Sequence, residues 1–281
     1  MKPESKFLNQ PLDFWANVKL ISQKVGYTQR KTSKIKIPTI EEIQKAFADL
    51  ELDDSKIIKK GKVTAFGSLL LEYFEHRASF LDDHVEPNLL NKNSAKKIYT
   101  ELKKKLKPNC PLPLNKQKGE KKAPAYFTCI INMLIEANAN GIECDYDPKE
   151  LTAFTKNHFP VRSLSRRVDG AFPNVINPIA IWEIKEYYYT TTFGSRVADG
   201  VYETLLDGLE LEEVRKYLDR KINHYLMVDD YYTWWTLGRS YLCRICDMLH
   251  MGLLTEALFG KEVIEHVPKL VKEWTKQINH N

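Results

Sequence analysis

Apolar positions in the second half of the chain follow the spacings of buried strands and amphipathic helices. Residues 178–189 carry the strongest strand pattern, because an unbroken apolar run extends from Ile179 to Trp182. The other predicted elements are a strand at 222–228, an extended segment at 161–172, and helical segments at 125–139, 148–158, 195–206, 231–259 and 263–278. This order of elements predicts an α/β (α+β) fold with a mixed central sheet flanked by helices.

The first half of the chain is predicted to be a mainly helical N-terminal region. Thr39 can cap a helix that begins at Ile40, with Glu42 as its capping-box partner. Ile43 and Phe47 then lie on one face of that helix. Two further helices are predicted at 69–80 and 94–106.

A basic stretch that follows three prolines separates the halves and is typical of a linker. It covers residues 115–124, NKQKGEKKAP. We therefore predict a basic, mainly helical region over residues 1–122 and a second domain over residues 123–281. The first region holds 25 Lys and Arg against 15 Asp and Glu, a net charge of +10, and the second 17 against 22, a net charge of −5. A basic region of this kind indicates a polyanionic partner, although it can equally be a solvated surface.

One segment of the basic region suits contacts with DNA. Between Lys19 and Lys36 there are six basic residues and no acidic residue, and Thr, Gln and Ser are interleaved with them. These side chains reach phosphates and base edges, but the same composition also occurs in solvated loops. The predicted DNA-binding residues are Lys24, Arg30, Lys31, Lys34 and Lys36.

Composition favours a cytoplasmic protein. No run of about 18 apolar residues is present, so neither a transmembrane helix nor a membrane partner is expected. The first ten residues lack the apolar core of a secretory signal. The five cysteines are odd in number and unevenly spaced, which favours a reducing compartment. Cys243, Cys246 and His250 share one helical face, but no fourth zinc ligand accompanies them, so buried thiols are the favoured interpretation.

The strongest predicted strand ends in charges that suit metal-dependent chemistry. Side chains alternate along a strand, so Glu183 and Lys185 lie on one face and Ile184 on the other. Asp169 lies on the preceding extended segment, and a turn between the two segments would fold it back beside Glu183. Two carboxylates with a backbone carbonyl suit a hard cation such as Mg²⁺.

These residues resemble the PD-(D/E)xK nuclease superfamily, and the chain looks most like a type II restriction endonuclease. Asp169 matches the first acid of the motif, Glu183 the second and Lys185 the lysine, while Val168 stands where the motif has proline. The resemblance covers about residues 125–230. It implies that Asp169 and Glu183 bind Mg²⁺, and that Glu136, on the helix before the sheet, is a possible auxiliary acid.

The resemblance also implies a function and partners. It implies Mg²⁺-dependent, site-specific hydrolysis of double-stranded DNA by a homodimer, with a DNA methyltransferase in the same system. The apolar segment 231–259 exceeds the needs of one small domain and so also indicates a dimer interface. Two alternatives remain open, namely a non-catalytic DNA-binding or regulatory protein and a repair or phage nuclease of the same superfamily. Asp229 and Asp230 are either metal ligands or helix caps, and capping is the more frequent use.

Overall fold

The computed structural model describes residues 1–29, 32, 34–115, 123–189 and 194–279. These residues form an α+β fold in which helices flank a mixed five-stranded sheet and a mainly helical region precedes it. The fold class predicted from the sequence is thereby confirmed. Within the described ranges, no helix combines the length and the apolar character needed to cross a membrane.

The N-terminal region consists mainly of helices, as its apolar spacing predicts. Thr39 and Glu42 form the predicted capping box at the start of the second helix. The elements are α1 (Leu12–Val25), α2 (Ile40–Asp49), β1 (Ile58–Lys59), β2 (Lys62–Val63), α3 (Ala65–Ser79), a π-helical segment (Phe80–Val85), α4 (Glu86–Asn88) and α5 (Lys92–Leu106).

The second half alternates helices and strands. Its elements are α6 (Tyr126–Glu136), β3 (Asp145–Tyr146), β4 (Ala153–Lys156), β5 (Phe159–Ser163), β6 (Gly170–Phe172), β7 (Ala180–Glu186), α7 (Ser195–Leu218), β8 (Asn223–Asp229), a second π-helical segment (Tyr231–Leu237), α8 (Arg239–His250), β9 (Glu256–Phe259) and α9 (Glu262–Asn279).

Strand β7 is the centre of the main sheet. The strand order is β3-β6-β7-β8-β9, with antiparallel pairing from β3 to β7 and parallel pairing from β7 to β9. On one face of β7, Trp182 stacks on Trp274 of α9 at a centroid distance of 5.7 Å. On the other face, Ile181 packs in one cluster with Leu211 and Val214 of α7. Since both faces are covered, the apolar run of β7 is fully buried, as is typical of a central strand.

The N-terminal region is joined to the rest of the chain by a buried ion pair. Arg77 of α3 is fully buried, and its Nη1 donates to Oδ1 of Asp247 on α8 at 3.1 Å. The hydroxyl of Tyr73 donates to the same carboxylate at 2.6 Å. Removing one partner of such a pair costs about 3–5 kcal/mol, because the other charge stays buried. The pair therefore fixes α3 against α8.

The predicted linker has hydrogen-bonded ends. The Asn115 N–H donates to the Ala123 carbonyl at 2.8 Å, and the Ala125 N–H donates to the Pro113 carbonyl at 3.0 Å. Residues 116–122 of the predicted linker lie outside the described ranges. Helices α5 and α6, on either side of this segment, pack in one apolar cluster. The division of the chain at residue 122 stays a prediction.

The helix predicted over residues 148–158 is wrong. The structure has a hairpin there, in which β4 pairs with β5 through a tight turn at Asn157 and His158. Both turn residues have positive φ, at 50° and 67°, a geometry that suits a two-residue hairpin and cannot continue a helix. Phe154 of β4 is fully buried in one apolar cluster with Leu211 and Val214 of α7.

The single helix predicted over residues 231–259 is also wrong, because the segment forms a π-helical turn, α8 and β9. Gly252, at a φ of 80°, follows α8 and lets the chain turn toward the sheet. Trp234, Leu249 and Phe259 are buried within the chain's own core. The surplus of apolar residues therefore has an internal explanation and no longer argues for a dimer interface.

A substitution at Gly170, which lies against the Trp182 ring, tests the packing of β6 against β7. A Cβ at Gly170 would lie 2.1 Å from a ring atom of Trp182, so we expect Gly170→Ala to destabilise the protein by about 1–3 kcal/mol. Urea unfolding measures the change. Gly194→Ala is the matched control, because nothing lies within 4 Å of the added methyl group there. Equal stability of the two variants would contradict the packing described for β6 and β7.

Candidate functional site

Asp169 lies directly opposite Glu183 across the β6–β7 ladder. The register pairs Gly170 with Trp182, and the Asp169 N–H donates to the Trp182 carbonyl at 3.2 Å. At the next position along β7, the Asp169 side chain takes the place of a backbone acceptor, because its Oδ2 accepts a hydrogen bond from the Ile184 N–H at 2.7 Å. Opposite residues of an antiparallel pair share a face, so the strand pairing brings the two acids together as the sequence indicates.

Lys185 contacts Glu183 on the same face of β7. Its Nζ lies 2.9 Å from Glu183 Oε2 and 3.1 Å from Glu203 Oε2 on α7. Glu183 is fully buried, and Lys185 is 9% exposed. The three residues of the predicted motif therefore form one cluster, with the amine between acids of β7 and α7.

Arg166 completes this cluster, although nothing in the sequence pattern around it predicts this role. Its Nη1 lies 2.9 Å from Glu183 Oε1, and its Nη2 lies 3.0 Å from Glu183 Oε2. The same guanidinium reaches Asp207 Oδ2 at 2.7 Å and Glu203 Oε2 at 3.3 Å on α7. The signal that could have revealed these acids is their four-residue spacing, which places both on one face of a helix that follows the strand.

The cluster holds more negative than positive charge. Four carboxylates, Asp169, Glu183, Glu203 and Asp207, surround Arg166 and Lys185. When all six groups are ionised, their net charge is about −2, because each side chain carries one unit. One divalent cation would therefore bring the net charge of the cluster to zero.

The pKa values reflect this imbalance. Burial, followed by the Glu183 charge, raises the pKa of Asp169 to about 6 and that of Asp207 to about 7. Burial alone would raise the pKa of Glu183, but Lys185 and Arg166 outweigh it and hold that pKa below its usual value. Burial would likewise lower the pKa of Lys185, but Glu183 and Asp169 raise it. Glu183 is therefore the ionised centre of the cluster.

A cavity of about 460 Å³ opens beside Asp169. Its walls include both cationic and acidic side chains, among them Lys149, Arg196 and Glu186. Glu186 accepts from the N–H and the hydroxyl of Thr128, at 3.0 and 3.1 Å, at the start of α6. The partly exposed Asp169 therefore connects the buried cluster with this cavity.

The donor chemistry of the pair fits a hard divalent cation. Asp169 and Glu183 supply carboxylate oxygens, the ligands that Mg²⁺ prefers. The net charge of about −2 on the ionised cluster also equals in size the charge of one such cation. Within the described ranges, no group of three or more His, Cys, Asp or Glu side chains is arranged to hold a metal ion. Both oxygens of Glu183 contact Arg166, and Oε2 also contacts Lys185, so cations of the chain already occupy this carboxylate.

The structure does not bring Glu136 to this cluster. Both of its carboxylate oxygens accept from the Asn109 N–H at 3.1 Å. Glu136 also lines a separate cavity with Cys110. Glu186, on the same strand as the motif, is the acid that shares the 460 Å³ cavity with Asp169.

The predicted DNA-binding lysines pair with acids of their own region. Lys24 lies 3.4 Å from Asp49, Lys34 lies 3.8 Å from Asp82, and Lys36 lies 2.6 Å from Glu42. Arg30 and Lys31 lie outside the described residues. Part of the positive charge is thus neutralised within the chain, and contact with DNA stays a prediction.

Two minor sequence interpretations are confirmed. Cys243 and Cys246 are fully buried, and burial raises the pKa of Cys243 to about 12, so these thiols are inert packing groups. Asp230 accepts from the Thr233 N–H at 2.9 Å and so caps the π-helical segment after β8.

Residues 90–274 match the family model described as a domain of unknown function, DUF7687. The chain belongs to the DUF7687 family. Residues 1–84 match a second model, a domain of unknown function described as DUF7690. The DUF7687 match contains the five-stranded sheet and all six charged residues of the cluster, whereas the DUF7690 match contains Lys24, Lys34 and Lys36. No curated protein and no solved structure matches the chain.

Asp229, at the end of β8, gives a pH-dependent prediction outside the cluster. It is fully buried and accepts from the Leu90 N–H at 2.8 Å and from the Tyr188 hydroxyl. Burial raises its pKa from 3.8 to about 7. The folded protein therefore binds this proton more tightly than the unfolded chain, so the stability that it contributes is present at low pH and is lost as the pH rises through 7.

We therefore expect Asp229→Asn to flatten the fall in the free energy of unfolding between about pH 5 and about pH 7.5. Urea unfolding at several pH values measures this slope. The exposed Asp83 supplies the control, since Asp83→Asn is expected to leave the slope unchanged. An unaltered slope in Asp229→Asn would show that another group causes the pH dependence.

Proposed function

We propose that this DUF7687 protein is a Mg²⁺-dependent, site-specific endonuclease that hydrolyses phosphodiester bonds of double-stranded DNA, as type II restriction enzymes do. One observation carries the proposal. The antiparallel ladder places Asp169 opposite Glu183, and Lys185 contacts Glu183 from two residues along the same strand. This is the spatial arrangement that the resemblance to the PD-(D/E)xK superfamily implies for its two acids and its lysine.

Each residue of the cluster has a distinct role in this proposal. Asp169 and Glu183 would hold Mg²⁺, which, when bound, acidifies a water molecule and neutralises charge on the phosphate. Lys185 holds its ammonium at the same site, where it can orient the attacking water and offset negative charge on the phosphate. The Ile184 N–H donates to the Asp169 carboxylate and holds it against β7, so this ligand is positioned before substrate arrives.

The surroundings of the cluster support a phosphate-containing substrate. Among the mixed charges of the cavity beside Asp169, Arg196 is an exposed cation that can approach a phosphate, whereas Lys149 pairs with Asp147 at 2.9 Å. Residues 1–122 add a net charge of +10, which favours contact with a polyanion. The proposal includes cytoplasmic location, a homodimer that matches the two-fold symmetry of duplex DNA, and a DNA methyltransferase in the same system.

One observation favours a second candidate function. Glu183 is fully buried, and both of its oxygens are paired with cations of the same chain. A network closed in this way can serve folding alone, in which case the protein would be a non-catalytic DNA-binding or regulatory protein. A repair or phage nuclease is the third candidate, and it would produce a smear of fragments where a site-specific enzyme produces discrete bands.

Cleavage of plasmid DNA tests the proposed activity. We expect Mg²⁺ to support cleavage and a chelator to abolish it. Glu183→Gln should reduce the cleavage rate by about three orders of magnitude, because the metal ion supplies several kcal/mol of transition-state stabilisation. DNA binding without metal should hold or tighten, since the substitution removes a negative charge. Lys185→Met should also abolish cleavage but weaken binding slightly.

The control for this experiment is Glu143→Gln, an exposed acid in a different cavity. Thermal melts of every variant separate loss of folding from loss of chemistry. A folded Glu183→Gln protein that cuts DNA at the wild-type rate would refute the nuclease proposal and leave the non-catalytic candidate.

The salt dependence of DNA binding tests the role of the basic region. If Lys24 and Lys34 neutralise phosphates, replacing both with Gln should flatten the slope of log K against log salt by about 1.8. Lys269→Gln with Lys276→Gln on α9 is the matched control and should leave the slope unchanged. An unchanged slope in the first pair would assign Lys24 and Lys34 to their ion pairs with Asp49 and Asp82 alone.

A further inference from the structure

Arg166 contacts three carboxylates, those of Glu183, Asp207 and Glu203, and it makes more contacts with Glu183 than with Asp207. Its Nη1 contacts Glu183 Oε1 at 2.9 Å and Asp207 Oδ2 at 2.7 Å, while its Nη2 contacts Glu183 Oε2 at 3.0 Å. Both carboxylates are fully buried, and the Arg166 side chain is 22% exposed. The guanidinium thus covers Glu183 with both of its terminal nitrogens and touches Asp207 with one.

Asp207 has room for a second contact from the same guanidinium. Its Oδ1 is buried and has no hydrogen-bond partner among the residues that the structure describes. A buried acceptor without a partner costs free energy, which a second N–H from Arg166 would recover. Arginine forms parallel two-fold contacts with carboxylates readily, because its terminal N–H groups match the spacing of the two oxygens.

From this geometry we propose that Arg166 is a resident counter-cation of Glu183, that a divalent metal ion displaces it, and that Asp207 receives the displaced guanidinium in a two-fold contact. The inference rests on the proposed function, because it requires a divalent cation at Asp169 and Glu183. It assigns Arg166 and Asp207 as positioning residues that control access of the cation to Glu183.

The charges of the cluster balance after this exchange. Arg166 then pairs with Asp207, and Lys185 keeps Glu203, which its Nζ already contacts at 3.1 Å. The divalent cation is left with Asp169 and Glu183, so every carboxylate has a partner and the net charge of about −2 is cancelled. Before the exchange, Arg166 partly replaces the missing charge at Glu183 and leaves one oxygen of Asp207 unpaired.

Binding of metal alone tests the proposal without any cleavage assay. Isothermal titration calorimetry of the full chain with Mg²⁺ compares wild type with Arg166→Met, which removes the competing cation. We expect Mg²⁺ affinity to rise about tenfold to a hundredfold, the range for losing hydrogen bonds to a charged group. Arg162→Met is the matched control, because Arg162 pairs with Glu210 on the next turn of α7 and should change affinity less than twofold.

A double-mutant cycle separates displacement from a simple effect of charge. Asp207→Asn in the wild-type background should weaken Mg²⁺ binding. Without the Asp207 carboxylate, the displaced Arg166 guanidinium has no second buried carboxylate to pair with, so it stays on Glu183. In the Arg166→Met background the same substitution should have little effect, since no guanidinium remains to be received. Equal weakening in both backgrounds would mean that Asp207 acts only through its own charge, and it would overturn the proposal.

A milder variant protects the test against misfolding. Arg166→Lys keeps the positive charge but loses the two-fold contact, so its Mg²⁺ affinity should lie between those of the wild type and Arg166→Met. If Arg166→Met does not fold, Arg166→Lys is compared with the wild type in its place. Wild-type affinity in folded Arg166→Met and Arg166→Lys, together with lost binding in Glu183→Gln, would overturn the inference and leave the metal site standing. Wild-type Mg²⁺ binding by Glu183→Gln would instead refute the metal site of the proposed function.

Discussion

A fully buried carboxylate at Glu183 is the constraint on which the rest of the site depends. Burial of an unpaired charge is prohibitively costly, so the chain must surround this group with cations and hydrogen-bond donors. It does so from three elements, with Lys185 on β7, Arg166 on the segment before β6, and the acids of α7 that hold both cations in turn. The ion network therefore joins strand β7 to helix α7 on the sheet face where Ile181 packs. Apolar contacts and ion pairs thus both hold β7 against α7.

The parts of the fold and of the site that could be predicted from the sequence are those specified by residues close together in the chain. The strand at 178–189 and its charged end were predictable, because an apolar run and two-residue alternation lie within a few residues of each other. Asp169 could be placed beside Glu183 because a short turn connects the two strands. The position of Glu136 could not be foreseen, since the choice between the Asn109 N–H and the cluster depends on how α6 lies against the sheet.

The errors have the same origin. Residues 148–158 satisfy a helical pattern, yet the turn at Asn157 and His158 and the burial of Phe154 beneath α7 decide for a hairpin. Residues 231–259 look like one apolar helix because the pattern does not distinguish a buried helix from a buried strand. Arg166 and Asp207 are 41 residues apart and meet only through the fold, so neither could be assigned to the other from sequence alone.

The stack of Trp182 on Trp274 gives the protein an internal optical probe. The two indole rings are nearly parallel, at 10°, and their centroids are 5.7 Å apart, a geometry in which their electronic transitions couple. Trp182 also directly precedes Glu183 and lies opposite Gly170 in the ladder. A shift of the backbone at the charged end of β7 would therefore change the surroundings of this chromophore pair, which is buried from solvent in the apolar core.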